Sequence, residues 1–232
     1  MRRLEQCPKC ASLGNDTRGD NLVVYPDGGK HCFACKYHVF PKSYNKIKVE
    51  DNVPKALLPF DFTREVPSSA LPWLLQYGLP YSYWAPMLGY SPISERLVFQ
   101  VGTAFSIGRY VGKETGHRKW YVWGDCHKHA ELIGDGPIVV LVEDLISAHK
   151  VAAAGYLAVP LFGTHVHNPV IYYLLTTDKP VVLWLDNDQA FNVKKQALRL
   201  SSLIPQPVNI INTEKDPKCL PLTAIQELLN RA

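Results

Sequence analysis

The 232-residue sequence has no run of about 18 consecutive apolar residues, so no membrane-spanning helix is expected. Its opening, MRRLEQCPKC, carries two arginines with no apolar stretch behind them and does not make a signal peptide. A cytosolic chain is therefore expected. Glycine motifs that cradle phosphates are also missing. No G-x-x-x-x-G-K-[ST] is present, hence no P-loop motor, and no G-x-G-x-x-G follows a strand. A G-x-S-x-G elbow is absent, and Ser106 and Ser147 have no evident base and read as structural serines. Nor is one sign of charge in large excess: a net charge of +4 and a pI near 8.6 point only weakly to an anionic partner.

What is present is the composition of a globular chain, 47% hydrophobic and 20% charged, long enough for a small domain beside a larger one. Charge is spread unevenly. Residues 1–48 hold nine Lys/Arg against four acids, a balance of +5 that leaves the remaining 184 residues near −1. A basic N-terminal module fused to a near-neutral body is a common layout for nucleic-acid enzymes.

Four of the six cysteines lie in that module, as Cys7-Pro-Lys-Cys10 and Cys32-Phe-Ala-Cys35 with 21 residues between the pairs. Two C-x-x-C turns complete a tetrahedral S₄ shell, which points to Zn²⁺. Between them a short strand at Asn21–Tyr25, a turn at Pro26-Asp27-Gly28-Gly29 and a return segment make the hairpin framework of a zinc ribbon. So few apolar residues do not hold about 40 residues together, and the metal is expected to be structural. His31 and His38 flank the second pair and read as surface residues or base contacts, since four thiolates fill the shell. Cys126 and Cys219 read as ordinary thiols, and Cys126-His127-Lys128-His129 has no matching pair.

Residues 41–60 alternate charge and proline without a sustained period and read as a linker. Short helices are expected over Leu71–Leu79 and Ser82–Leu88. Strands follow at Arg96–Val101, Ser106–Gly112 and Lys119–Trp123. The turn before the last strand gathers Lys113, His117, Arg118 and Lys119. With Arg109 these make either a solvated hairpin tip or a cationic rim beside aromatic faces, suited to phosphates and stacked bases.

From Gly136 onward, strands at Pro137–Val142, Tyr156–Leu161, Val181–Leu185 and Val208–Ile211 alternate with helices at Leu145–Ala154, Val170–Thr176, Gln189–Leu203 and Leu222–Arg231. Continuous apolar strands alternating with helices imply a parallel sheet covered on both faces. Such sheets carry their chemistry beyond the carboxyl ends of the strands. That rule selects Glu143, Asp186, Asp188 and the Lys215-Asp216 loop, an oxygen-ligand cluster suited to Mg²⁺ or Mn²⁺. Asp188 also suits a helix N-cap, a compatible role. His165 and His167, at the same edge, read as loop residues.

An apolar strand ending in Glu143 and another ending in Asp186-x-Asp188 resemble the Toprim domain of DnaG-type primases, topoisomerases and related nucleases. The order of ribbon, linker, basic domain and Toprim is similar to that of bacterial and tailed-phage DNA primases. Trp73-Leu-Leu-Gln-Tyr-Gly-Leu79 with Leu88-Gly-Tyr90 resembles the stretch that opens the primase core. Arg96–Phe99, Gly108-Arg109 and Lys119-Trp120 look like its basic subdomain, Asp188-Gln-Ala190 like "DxDxAG", and Lys215-Asp216-Pro217 like the loop after the last Toprim strand. The resemblance implies a multi-domain α/β chain: ribbon 1–40, linker 41–60, a mixed α+β basic subdomain 61–134 and Toprim 135–232. It implies RNA primer synthesis from NTPs on a single-stranded DNA template, as in DNA replication. Catalysis would fall to Glu143, Asp186, Asp188, Arg109 and Lys119, with Lys113 and Lys215 on the nucleotide. Cys7, Cys10, Cys32 and Cys35 would hold zinc, and Glu143, Asp186, Asp188 and Asp216 magnesium. A separate replicative helicase and DNA polymerase are the implied partners, because the chain stops after Toprim, in a bacterial or phage-infected cytoplasm. Three positions depart from the family pattern: Asp144 replaces a Gly, Ser147 an Asp and Phe191 a Gly. A Toprim nuclease and a catalytically silent single-stranded-DNA-binding module are the alternatives.

Overall fold

The computed structural model describes residues 3–26, 28–39, 57–186 and 190–232, and the chain divides into two compact units, Met1–Asn52 and Val53–Ala232. Asp27 and most of the expected linker lie outside the described residues, as does Asp188.

In the N-terminal unit, β1 (Arg3–Glu5), β2 (Leu22–Val24), β3 (Lys30–Cys32) and β4 (His38–Val39) form an antiparallel sheet in that order. The β2–β3 turn closes where Gly28 takes φ +85° and the Tyr25 amide donates to the Gly29 carbonyl at 2.8 Å. Helix α1 (Pro8–Ala11) starts at once after Cys7. Asp16, only 3% exposed, accepts from the Cys7 amide at 2.6 Å and the Asp20 amide at 3.2 Å, which shapes the loop around the first cysteine pair. Among this unit's described residues, the buried apolar side chains are Leu22 and three cysteines.

The second unit contains two sheets. β5 (Leu88–Ser91), β6 (Arg96–Val101), β7 (Phe105–Tyr110) and β8 (Trp120–Trp123) pair antiparallel in sequence order, under α2 (Leu71–Leu75) and α3 (Tyr81–Trp84). Here the structure departs from two expectations. The helix expected over Ser82–Leu88 ends at Trp84, and Leu88–Ser91 is an edge strand against Phe99–Arg96. Gly89 lets that strand pack, since a Cβ there would lie 2.2 Å from the Phe62 ring. Helix α2 stops at Leu75, before the φ of +76° at Gly78.

The other sheet is parallel, in the order β10 (Leu157–Pro160), β9 (Val139–Val142), β11 (Val181–Trp184), β12 (Val208–Ile210). Val139, Leu141, Val181 and Leu183 pack on one face with α5 (Asn168–Leu174) and α6 (Ala190–Leu203). Val140, Val142, Val182 and Trp184 pack on the other with α4 (Leu145–Ala153) and α7 (Leu222–Leu229). Full burial of such side chains stabilises by about 1.5–3 kcal/mol each. This is the α/β, multi-domain class that the sequence pattern implied. Helix α4 serves both sheets: Ala148 and Val151 face the parallel one, while Leu145 and Ile146 join the core of the antiparallel one. No helix among the described residues is long and apolar enough to cross a membrane.

Candidate active-site cleft and zinc centre

In the N-terminal unit the four cysteine sulfurs lie within 4.8 Å of one another, with Cys7 Sγ 3.5 Å from Cys35 Sγ and Cys10 Sγ 3.6 Å from Cys32 Sγ. Zn–S bonds of about 2.3 Å in a tetrahedron put sulfurs ~3.8 Å apart, so this shell fits zinc. Among the described residues it is the only tight cluster of metal-ligating side chains, and Cys126 and the histidines lie outside it.

In the second unit the order of the parallel sheet decides where its acids meet. From β9 the chain goes to β10 on one side and then to β11 on the other, so β9 and β11 flank a switch point. Val142 of β9 is level with Trp184 of β11; Glu143 follows Val142 directly and Asp186 comes two residues after Trp184, beyond the buried Leu185. Both line a cavity of about 450 Å³.

Burial, with the carboxylates of Glu143, Asp216 and Asp144 nearby, pushes the Asp186 carboxyl up to about 7, against the opposing pull of Lys218. Asp186 Oδ1 is buried and has no hydrogen-bond partner among the described residues. Lys218, which the sequence pattern did not single out, stands amid these acids. Its Nζ is 2.8 Å from Asp144 Oδ2, 2.8 Å from Asp216 Oδ2 and 3.6 Å from Asp186 Oδ2. A 3-10 turn at Pro217–Cys219 presents it, with the Cys219 amide donating to the Asp216 carbonyl at 2.9 Å. Trp184 Nε1 donates to Thr213 Oγ1, and Thr213 Oγ1 to the Lys215 carbonyl, both at 2.8 Å, which ties this loop to β11.

Two of the departures from the family pattern are coupled. Asp144 caps α4, accepting at Oδ1 from the Ile146 and Ser147 amides at 2.8 and 3.0 Å and at Oδ2 from Ser147 Oγ at 2.9 Å. The third, Phe191, is 81% exposed in the first turn of α6.

The opposite wall of the cavity comes from the antiparallel sheet. Arg109 of β7 sits across from Trp120 of β8, with its guanidinium 4.8 Å from the Trp73 ring centre and 5.7 Å from that of Trp120. Its Nε is buried without a hydrogen-bond partner among the described residues, and burial lowers its pKa. Arginine remains charged there. Lys113, Lys119 and Lys215 are exposed and lie outside the cavity lining, and Asp216 reaches the site through Lys218. The cavity also gains His127, whose ring stacks on His167 at 3.8 Å, with His165 edge-on to His167 at 4.9 Å. Burial holds His165 and His167 below the ordinary imidazole value.

A divalent ion suits part of this arrangement. The partnerless buried oxygen of Asp186, beside Glu143, is an acceptor that a hard cation satisfies. The acids around Lys218 already have a cation among them.

No family model matches the sequence, and no curated protein matches it either. Among solved structures, the chain is similar to the primase fragment of the bacteriophage T7 primase-helicase protein, at 14% identity and a TM-score of 0.47, over 98% of this chain and 97% of that one. It is also similar to the zinc-binding and RNA polymerase domains of the Aquifex aeolicus primase, at 15% identity and a TM-score of 0.49, over 99% of this chain and 77% of that one. Both are primases, the family that the sequence resembles.

Proposed function

We propose that this chain is a DNA primase, a DNA-directed RNA polymerase that makes short RNA primers on single-stranded DNA, with nucleotidyl transfer in the cleft of its second unit. The observation that carries this is the meeting, in one cavity, of the acids Glu143 and Asp186 with the ring-stacked cation Arg109. A nucleoside triphosphate needs both: carboxylates to share a metal ion with it, and a fixed cation for its phosphates.

Glu143 and Asp186, with Asp188, hold Mg²⁺ or Mn²⁺. When bound, the ion neutralises phosphate charge and acidifies the attacking hydroxyl. Arg109 offers a planar fork of donors to phosphate oxygens, and the rings of Trp73 and Trp120 exclude water from one side of it, strengthening the contact. Lys113, Lys119 and Lys215, all exposed, attract template and nucleotide phosphates. In the N-terminal unit zinc holds the ribbon fold, and the exposed Phe33 beside His31 provides a stacking surface for template bases.

Residues 1–40 are then the template-selecting ribbon, 41–60 the linker, 61–134 the basic subdomain and 135–232 a Toprim domain. A replicative helicase and a DNA polymerase are the partners, in a bacterial or phage-infected cytoplasm. One observation favours a nuclease: His127 lines the same cavity and is a candidate base. Incubation with single-stranded DNA, labelled NTPs and Mg²⁺ separates the readings. Short RNA products lost in Asp186→Ala support primase, and cut DNA lost in His127→Ala supports a nuclease. DNA retention without either product indicates a binding module.

A further inference from the structure

We infer that the ammonium group of Lys218 is a resident cation in the place of one divalent ion, so that the cleft takes a single Mg²⁺ or Mn²⁺ rather than a pair. This rests on the assignment of Glu143 and Asp186 to a divalent ion, and it divides the acids of the cleft into two sets.

In the first set, Asp144 and Asp216, the Asp144 carboxylate is saturated. An ionised carboxylate has about four lone-pair sites, and Asp144 uses them on the Ile146 amide, the Ser147 amide, Ser147 Oγ and Lys218 Nζ, all between 2.8 and 3.0 Å. Asp216 Oδ2 is in contact with the same Nζ at 2.8 Å. An ion bound between Asp144 and Asp216 would have to stand where Nζ stands. Mg²⁺ requires oxygens at about 2.0–2.1 Å, and Nζ is already in contact with an oxygen of each of these two acids.

Nor is Lys218 a freely swinging surface lysine. Its side chain is 19% exposed, and it follows the buried Pro217 in a turn closed on Asp216 and tied through Thr213 to Trp184. The second set is the one with an acceptor to offer, at Asp186 Oδ1. A lysine differs from a metal in one functional respect: its charge is present at any ion concentration. The Asp144–Asp216 side of the cleft is thus partly neutralised, one positive charge against two carboxylates, before nucleotide or metal arrives.

The test counts ions, independently of turnover. Zinc-loaded full-length protein is titrated with Mn²⁺, and bound Mn²⁺ is measured by electron paramagnetic resonance in wild type, Lys218→Met and Lys218→Arg. The expected result is one Mn²⁺ per chain in wild type and in Lys218→Arg, and one more in Lys218→Met. Two Mn²⁺ in wild type, or a folded Lys218→Met that gains none, overturns the inference. Should Lys218→Met be unfolded without metal, recovery of its folded tryptophan fluorescence on adding Mn²⁺ supports the inference, and failure to recover overturns it. A wild type that binds none beside a variant that binds one removes the Glu143–Asp186 ion while keeping the role of Lys218.

Discussion

His149 sets a measurable pH dependence for the unit that carries the cleft. It is 5% exposed on α4, with Nδ1 2.9 Å from Tyr83 Oη and its ring edge-on to Trp84 at 4.8 Å. Burial lowers its pKa from 6.5 to about 4. In the unfolded chain the ring takes up a proton below about pH 6.5, while the folded protein refuses one until about pH 4. The group's contribution to stability is therefore complete above 6.5 and is lost as pH falls through that window. At about pH 5 the linkage amounts to ~2 kcal/mol relative to pH 7.5. Asp186, pushed up to about 7, acts with the opposite sign in part of the same range, so the informative quantity is the difference between wild type and His149→Gln. All five tryptophans fall between Trp73 and Trp184, so urea melts followed by tryptophan fluorescence report this unit. Wild type is expected to lose ~2 kcal/mol more than His149→Gln between pH 7.5 and 5. Parallel slopes for the two proteins would refute the burial argument.

Removing zinc with a chelator, or replacing Cys7 with Ser, should unfold the N-terminal unit, since structural zinc supplies on the order of 10 kcal/mol to such ribbons. Metal analysis should then show loss of one zinc per chain while tryptophan fluorescence is unchanged. Arg109→Ala should lower primer synthesis by about 10²–10³-fold, the usual cost of one preorganised charge-stabilising donor. Arg109→Lys should recover only part of it, because an ammonium lacks the planar stack on Trp73; equal activity in all three would remove Arg109 from phosphate binding. Asp144→Ala should cost ~1–2 kcal/mol as a lost helix cap. Ser147→Ala should cost less, and the double variant should fall short of the sum, because one cap hydrogen bond joins the two side chains.

Local pattern revealed a large share of this protein. The cysteine pairs are legible because metal ligation needs fixed spacings, and the strands ending at Val142 and Trp184 because a strand buried on both faces is an unbroken apolar run. Glu143 and Asp186 followed from the rule that parallel sheets open at their carboxyl edge. The sequence pattern carries a helix as far as Leu88 and leaves the short strand Leu88–Ser91 unmarked, since its strand state depends on pairing with Arg96–Phe99 and on the Phe62 ring above Gly89. Asp144 and Ser147 looked like two separate departures, whereas they are one hydrogen-bonded cap.

Residue spacing therefore decided the cysteine shell, the alternating strands and helices of the parallel sheet, and the places of Glu143 and Asp186 at its edge. Which cation those acids face was a tertiary decision. Lys218 meets Asp144 from 74 positions away, and Arg109 lies over Trp73 from a different element of the antiparallel sheet's core. Charges and rings of this kind leave no periodic trace in a sequence, because they act across space, and their partners become neighbours only after two sheets have packed on a shared helix.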